Sequence, residues 1–314
     1  MQISNGVISS TGRVWNILSA SSKGDLDTVK KMAEESPEIL YAQYNYTPPI
    51  HFAVREGHLK MTEYLLQQGA HDPGYKIYPF LDPLQTIARD RGQDEIAALL
   101  DAYATQPNKQ KFSGDNGTIQ VPRTAIEKEF QKSVDELDLE KTESMLKEHP
   151  EFVQDDSFFW GEGILMMPAK YNSPHMVELL IKYGAKVPRI LKWTQFYYFK
   201  HYEMARLVME KGMDPNTMSW HHVTILHDMA QKGLIPKAEL LVKYGADINL
   251  LEDEYQSTPL AMAARWGHAE MVSWLIWHDA DVNKAGAPWA SPLSWARTKG
   301  HTEIEQILLN AGAR

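Results

Sequence analysis

The sequence lacks cysteine, which excludes disulfides, thiolate metal sites and a cysteine nucleophile. It also lacks a run of about eighteen apolar residues, the length that a helix needs to cross a bilayer. The N-terminal segment has neither a charged region nor a long apolar region of the kind found in secretory signals. We therefore expect a cytoplasmic protein, although a signal peptide removed earlier would leave no trace in this sequence.

Positive charge is scarce as well. Lysine and arginine number 32 against 41 aspartate and glutamate residues, which gives a net charge of −9. General binders of nucleic acid or of anionic membranes carry an excess of positive charge, so we expect neither as a partner. The phosphate-loop, dinucleotide, HExxH and GxSxG motifs are also missing, and we expect no cofactor and no metal.

Residues 257–283 combine two helix patterns with a turn between them. Thr258 can cap the first helix with its hydroxyl, and Pro259 is tolerated in the first helical turn. Gly267 suits the end of that helix, where a left-handed conformation is needed. An apolar stripe on the second helix follows at Met271, Val272, Leu275 and Ile276. Such a unit cannot bury its own stripe and needs neighbours like itself.

The unit recurs along the chain. Its turn glycine has equivalents at Gly24, Gly57, Gly92, Gly233, Gly267 and Gly300, with steps of 33 and 35 residues before a gap and 34 and 33 after it. The second-helix pattern fills the gap and places Leu137, Asn172 and Lys200 in phase, for nine units in all. The TPL turn, the GH pair and this period resemble the ankyrin repeat. That resemblance covers nearly the whole chain. It implies an all-α solenoid of helix–turn–helix units with hairpin fingers, degenerate in the middle.

Two repeats end in a Pro-Glu-hydrophobic exit, at Pro37 and at Pro150, which is typical of first repeats in ankyrin arrays. The chain is therefore predicted to contain two blocks. We expect a lead-in at 1–13, repeats 1–3 at 14–102, an inter-block loop at 103–122 and repeats 4–9 at 123–314. The loop is polar and has no helical period, so it is either a surface connection or a flap over the concave face.

The sixth unit is irregular. From Asn172 to Lys200 it spans 28 residues, about five fewer than the family period. The missing segment falls in the inter-repeat hairpin at 187–193, and an aromatic run, 193–203, stands where the first helix should be. A shortened hairpin predicts a notch in the row of fingers.

Histidines divide into two groups. Six occupy repeated positions, where the resemblance implies hydrogen bonds to backbone between repeats: His51, His58, His201, His227, His268 and His301. The adjacent pair His221 and His222 precedes the seventh unit's first helix, with Asp228 one helical turn away. The two histidines could bind a metal or act as an acid–base pair. Adjacent histidines in a loop point in different directions, however, and no third ligand has suitable spacing, so we favour a polar contact surface.

Aromatic residues recur shortly before the threonine of the TPL turn. Trp160 and Tyr255 fall three residues before that position, Trp220 falls four before it and Trp289 two before it. In ankyrin arrays this segment is the hairpin finger, on the side that meets partners. The predicted binding residues are Trp160, Glu162, Trp193, Tyr197, Tyr198, Trp220, His221, His222, Asp228, Tyr255 and Trp289. The alternative is that the aromatic rings pack between fingers and only stiffen the array.

We therefore expect a non-catalytic binding or scaffold protein that recognises a protein or peptide through the aromatic-rich concave face of repeats 5–8. The alternative is a small-molecule binder or an enzyme with its pocket at the degenerate sixth repeat. A carbohydrate would suit tryptophan faces that lie beside carboxylates, and an enclosed pocket would favour this alternative.

Overall fold

The structure, a computed structural model, describes residues 2–4, 7–72, 74–104, 123–155, 158–161, 163–189 and 193–314. For Trp160 and Trp193 it describes the backbone alone. Glu162 and nearly all of the predicted loop at 103–122 lie outside the described residues. The chain divides into two compact units, Met1–Ile119 and Gln120–Arg314.

The first unit begins with an antiparallel pair of short strands, β1 (Gln2–Ser4) and β2 (Val7–Ile8). Its described helices then follow in pairs: α1 (Thr11–Lys23) and α2 (Leu26–Glu35), α3 (Pro49–Arg55) and α4 (Leu59–Gln67), α5 (Leu84–Asp90) and α6 (Asp94–Ala104). Each first helix packs on its own second helix, and the first helices α1, α3 and α5 pack on one another in sequence. The described helices of this unit therefore form three stacked pairs.

The second unit continues the pattern. Its described α-helices are α7 (Ala125–Asp135), α8 (Leu139–Glu148), α9 (Phe158–Gly161), α10 (Met166–Lys170), α11 (Pro174–Lys182), α12 (Tyr202–Glu210), α13 (Ile225–Gln231), α14 (Ile235–Lys243), α15 (Pro259–Trp266), α16 (Ala269–Trp277), α17 (Pro292–Lys299) and α18 (Thr302–Asn310). Neighbouring first helices α13, α15 and α17 stack in sequence, and α16 packs on α18. A repeat in such a stack is stabilised mainly by its two neighbours.

Helix α15 shows why the repeated motif folds in this way. The Thr258 hydroxyl accepts a hydrogen bond from the Ala261 backbone N–H at 3.3 Å, and Pro259 occupies the first helical turn. The alanines that follow are fully buried and allow close approach of the adjacent helices. Gly267 ends the helix at a φ of 82°, a conformation that costs glycine nothing. The predicted helix–turn–helix unit is confirmed here.

The phase assigned across the irregular middle is confirmed at two positions. Leu137 and Asn172 adopt φ values of 59° and 54°, as the turn glycines do. The sixth repeat differs from expectation, because a 3₁₀-helix, Trp193–Phe199, replaces its first α-helix. The two Pro-Glu exits also form 3₁₀-helices, Pro37–Tyr41 and Pro150–Gln154, which turn apolar side chains inward.

Three of the six repeated histidines bond to the backbone of the preceding repeat, as the resemblance implied. The imidazole Nε2 of His58 lies 2.8 Å from the Ser22 carbonyl oxygen, and that of His268 lies 2.7 Å from the Gln231 carbonyl oxygen. His301 makes the same contact with the Arg265 carbonyl oxygen at 3.2 Å. Each is a side-chain bond from one repeat to the backbone of the one before it, so these three histidines serve the scaffold.

Within the described residues, no helix is long and apolar enough to cross a membrane, and the longest, α1, has 13 residues.

Candidate functional site

Three consecutive inter-repeat loops of the second unit carry five of the predicted binding residues: Trp220, His221, His222, Tyr255 and Trp289. We call residues 218–224, 250–258 and 284–291 together the loop surface. The first loop is a tight hairpin in which Met218 and Thr224 form a β-bridge. His222 sits at its tip with a φ of 57°, and the Ser219 backbone N–H donates to the Val223 carbonyl at 2.9 Å. The hairpin therefore fixes the direction of the two adjacent histidines.

The first loop is bonded to the second through both histidines. The buried His221 Nδ1 lies 2.8 Å from Glu254 Oε1, and the Asp253 backbone N–H donates to the His221 carbonyl at 3.0 Å. The exposed His222 Nδ1 lies 2.9 Å from Asp253 Oδ2. The predicted polar pair therefore splits into a buried bond between loops, made by His221, and an exposed group, His222.

A buried carboxylate shapes the second loop. Both Glu252 oxygens accept backbone N–H groups, from Glu254 at 2.7 Å, Tyr255 at 3.0 and 3.1 Å, and Ser257 at 3.1 Å. Burial, and then the Glu254 carboxylate, raise the pKa of Glu252 to about 8, whereas the backbone N–H groups lower it. Because Glu252 and Glu254 are buried and engaged within the loops, they do not offer the exposed carboxylates that a sugar would require.

The second loop is bonded to the third. The Gly286 backbone N–H donates to the Gln256 carbonyl at 2.8 Å, and the Ser257 hydroxyl lies 3.3 Å from the Ala290 carbonyl. A Cβ at Gly286 would lie 2.8 Å from the Gln256 Cβ, so the close approach of these two loops requires glycine there. The loop surface is thus held together by bonds from each loop to the next.

Tyr255 does not belong to an exposed aromatic row, and this part of the prediction is wrong. Its ring is fully buried and meets the rings of Trp266 and Trp295 edge-on at 6.1 and 5.9 Å between centroids. The Arg265 guanidinium lies over all three rings, at 4.1 Å from Tyr255 and 3.8 Å from Trp266. Counting along the sequence places Tyr255 in the loop but cannot show which way its ring turns. No sequence pattern marks Arg265, because it is a single charged residue in the last turn of α15.

Trp220 and Trp289 remain partly exposed on the loop surface. The Trp220 ring packs against His221 with centroids 3.9 Å apart. Trp289 meets the buried Trp295 edge-on at 5.7 Å. Each indole is therefore supported on one side by the scaffold and keeps another side accessible, as does the exposed imidazole of His222.

Asp228 is buried on α13, away from solvent, which differs from its predicted role in orienting a partner. Its Oδ2 lies 2.7 Å from the Lys232 ammonium, but its Oδ1 has no hydrogen-bond partner in the described part of the chain. Burial raises the pKa of Asp228, and the charge of Lys232 opposes that effect. Burial also lowers the pKa of the nearby Lys237, followed in importance by repulsion from Lys232.

The aromatic run of the sixth repeat is mostly internal where its side chains are described. Tyr198 is 1% exposed, which contradicts its assignment to a contact surface, whereas Tyr197 is partly exposed and lies 5.8 Å from the Lys170 ammonium. The 3₁₀-helix turns Tyr198 inward along with its neighbours Phe196 and Phe199. For Trp160, Trp193 and Glu162 the predictions concern side chains outside the described part.

A cavity of about 430 Å³ lies beside the predicted notch. It is lined by Ile181, Ala185, Lys186, Val187, Pro188, Arg189, Lys211, Gly212 and Asp214. Residues 190–192 of the predicted notch lie outside the described residues. The cavity lining includes none of the tyrosine, histidine or Asp228 groups that the enzyme alternative would use as acid and base.

Comparison with known proteins gives one consistent family. A model described as "Ankyrin repeats (3 copies)" matches residues 195–286 and 226–314, and one described as "Ankyrin repeats (many copies)" matches residues 17–66. An ankyrin repeat domain from Acinetobacter baumannii AYE superposes with a TM-score of 0.50 and 24% identity. That match covers 60% of this chain and all of the other, and it shows the fold alone.

Curated relatives are much longer than this chain. Human "Transient receptor potential cation channel subfamily A member 1" is 22% identical over 313 residues, covering 94% of this chain and 27% of the relative. Drosophila melanogaster "ARF GTPase-activating protein Git" is 40% identical over 67 residues, covering 21% of this chain and 9% of the relative. Caenorhabditis elegans "Ankyrin repeat and KH domain-containing protein mask-1" is 33% identical over 295 residues, covering 89% and 10%. The chain therefore spans about a quarter or less of these relatives.

Proposed function

Since the chain belongs to the ankyrin-repeat family, we propose that it is a non-catalytic interaction module whose protein or peptide partner docks on the loop surface of repeats 7–9. Ankyrin repeats are typically protein-interaction modules. We assign that interaction to the finger side, which the resemblance to ankyrin arrays implies. Trp220, His222 and Trp289 are the contact residues that we assign.

The observation that supports this assignment most strongly is the bonding of three loops to one another beneath partly exposed indoles. Binding is weakened by the entropy lost when loops and side chains become ordered, at about 0.5–1.5 kcal/mol for each flexible side chain. Here the Asp253 and Gly286 backbone N–H groups already bond each loop to its neighbour. A partner would meet a surface that is largely fixed before binding.

Tryptophan is the residue type most suited to anchor such an interface, because a large rigid ring loses little freedom when it is covered. The hydrogen-bonded pair of His222 and Asp253 lies on the same surface and is solvent-exposed. This pair offers polar groups to a partner. Because an exposed, salt-screened pair contributes little to folding stability, a partner can disrupt it at little cost. The surface therefore combines apolar anchors with a polar group for orientation.

Selection of peptides from a displayed library on the whole chain tests this proposal. Selected peptides are titrated by fluorescence anisotropy against the wild type and against Trp220→Ala and Trp289→Ala. We expect each variant to weaken binding at least tenfold, about 1.4 kcal/mol, as for an interface anchor. Trp277→Ala is the matched control, since Trp277 is 79% exposed on α16 and outside the loop surface.

Two outcomes would count against the proposal. One is a set of peptides whose binding is unchanged in both loop variants, and the other is a set that loses binding in the Trp277 control. A parallel titration with oligosaccharides addresses the carbohydrate alternative. Saturable sugar binding that is lost in Trp220→Ala would replace the peptide proposal with that alternative.

A further inference from the structure

A ladder of side-chain bonds connects the later repeats just after their second helices. An Asp-x-Asn motif recurs there, at 214–216, 247–249 and 281–283. In each copy the asparagine side-chain Oδ1 accepts a backbone N–H from the next repeat. Asn216 accepts from Asp247 at 2.7 Å, Asn249 accepts from Asp281 at 2.9 Å, and Asn283 accepts from Arg314 at 3.0 Å.

The ladder is broken one repeat earlier. After Gly184 and Ala185, the positions of the motif's aspartate and asparagine hold Lys186 and Pro188. Proline has no side-chain acceptor. The Asp214 backbone N–H, which would donate to an asparagine at position 188, donates to no acceptor in the described residues. The substitution therefore leaves a backbone donor without its usual partner.

The cavity of about 430 Å³ lies at this break, and Lys186, Pro188 and Asp214 all line it. Two further cations, Arg189 and Lys211, belong to the lining. None of the three cations forms an ion pair with a described residue. Three unpaired positive charges therefore surround one cavity in a chain whose net charge is −9.

One carboxylate also belongs to the lining, but it already has a role of its own. The Asp214 Oδ1 accepts the Asn216 backbone N–H at 2.8 Å, as the aspartate does in every copy of the motif. With that charge included, the lining carries three positive charges and one negative charge. The net charge of the lining is therefore positive by two. A monoanion would neutralise only half of it, whereas a dianion would neutralise all of it.

We propose that this cavity binds a phosphate monoester dianion. Phosphate monoesters carry about −1.5 to −2 charge at neutral pH and three acceptor oxygens. Lys186 and Lys211 supply point charges, and the Arg189 guanidinium can donate two parallel hydrogen bonds. The Asp214 backbone N–H adds a donor of the kind that anion sites use. The phosphate is carried either by a phosphoserine side chain of a peptide or by a small phosphorylated molecule.

This site is separate from the loop surface and does not depend on it. No residue of the loop surface lines the cavity. Variants of Trp220 therefore leave phosphate binding unchanged, and variants of the cavity leave binding of the selected peptides unchanged. The two proposals can fail independently.

Phenyl phosphate is the first probe, titrated into the whole chain and followed by ³¹P NMR. We expect saturable binding that weakens as salt is raised. Arg189→Gln and Lys211→Gln should each weaken binding about tenfold, the usual effect of losing one charge-assisted hydrogen bond. Lys243→Gln is the matched control, since Lys243 is an exposed lysine outside the cavity and forms no ion pair with any residue that the structure describes.

A variant that restores the missing hydrogen bond provides a second test of the phosphate site. Pro188→Asn restores the acceptor of the ladder, so it should raise the denaturant midpoint slightly and compete with phosphate for the Asp214 N–H. We expect weaker phenyl phosphate binding in this variant, and its raised midpoint shows that the loss is not due to unfolding.

A phosphoserine peptide and its unphosphorylated copy distinguish the two sources of the phosphate. Tighter binding of the phosphopeptide than of phenyl phosphate assigns the site to a peptide, and equal or weaker binding assigns it to a small molecule. No saturable binding of phenyl phosphate in the wild type, or equal losses in Lys243→Gln and Arg189→Gln, would overturn the proposal.

Discussion

Replacing Asp228 with leucine is expected to stabilise the protein, because the native carboxylate is buried with one oxygen unsatisfied. Leucine has the same forked shape and number of side-chain atoms. The equivalent positions, four residues after the helix cap, hold Met262 in α15 and Trp295 in α17, and both are buried. The position therefore accepts an apolar side chain elsewhere in the array, and Asp228 is the exception.

The size of the effect follows from the contacts. An unsatisfied buried polar group costs about 1–3 kcal/mol, and replacing a buried ion pair with an apolar group is neutral or stabilising by up to about 4 kcal/mol. Lys232 is 48% exposed, so its ammonium returns to water at little cost. We expect Asp228→Leu to raise the free energy of unfolding by about 1–3 kcal/mol. For a unit of this size that corresponds to a rise in Tm of about 2–10 °C.

The effect should depend on pH in a defined direction. The folded-state pKa of Asp228 is raised above 3.8, so the group favours folding most below that pH and least once the folded carboxylate is ionised. Leucine removes this dependence. The gain over the wild type should therefore be larger at pH 7 than at pH 4.

Denaturant titration followed by tryptophan fluorescence measures the difference at both pH values. Lys232→Met is the control, because it leaves the buried carboxylate without its cation and should lower stability where Asp228→Leu raises it. A lower midpoint for Asp228→Leu at pH 7 would refute the reasoning. So would a gain of the same size at pH 4 and pH 7, since the charge would then not be its cause.

Three further results are expected from denaturant midpoints of single variants. Asn249→Ala removes a rung of the ladder and should lower the free energy of unfolding by about 1 kcal/mol; no change would show that water replaces the rung. Gly300→Ala should cost about 1–2 kcal/mol for its left-handed φ alone, whereas Gly267→Ala should cost more, because the new Cβ would meet the His301 ring at 2.9 Å. Equal costs would contradict that steric argument. Burial lowers the pKa of His227 to about 4, so the unfolded chain binds a proton at this histidine more readily than the folded chain does. As pH falls from 6.5 to 4, this difference should lower the free energy of unfolding by up to about 3 kcal/mol. His227→Gln should remove that part of the slope, and an unchanged slope would contradict the assignment.

The sequence was sufficient to predict the repeat array because most repeats carry the same helix-capping residues and the same apolar stripe. Gly267 and Thr258 mark the two ends of a helix by backbone chemistry, and that chemistry is independent of the rest of the chain. Leu137 and Asn172 could be placed in phase without glycine, because the apolar stripes around them keep the period. The periodic pattern predicts the structure less well just before Lys200, where the aromatic run forms a 3₁₀-helix instead of the expected α-helix.

The candidate site was less predictable, because loops have no period that relates position to direction. Trp220 and Tyr255 stand at similar distances from their helix caps, yet Trp220 is partly exposed and Tyr255 is fully buried. The difference comes from the Arg265 guanidinium on α15 of the same repeat and from the Trp295 ring on α17 of the next repeat, which together enclose Tyr255. Such contacts between repeats cannot be inferred from one loop alone. The Asp-x-Asn motif and its break at Pro188 are visible in the sequence, but only the structure shows that the asparagine side chains bond to the next repeat.

At the loop surface, neighbouring repeats are joined by several hydrogen bonds, whereas at the cavity a hydrogen bond between repeats is missing. The construction of a solenoid from separate interfaces explains why both sites can exist in one chain. Each interface contributes to stability nearly independently, so the loss of one bond weakens one boundary and leaves the others intact. Recognition of a peptide requires a surface fixed in advance, which the bonded loops around Asp253 and Gly286 provide. Recognition of a small anion requires donors that the fold has left unused, which a boundary with Lys186 and Pro188 in place of Asp and Asn provides. A compact single core could not omit such a bond without affecting its whole packing.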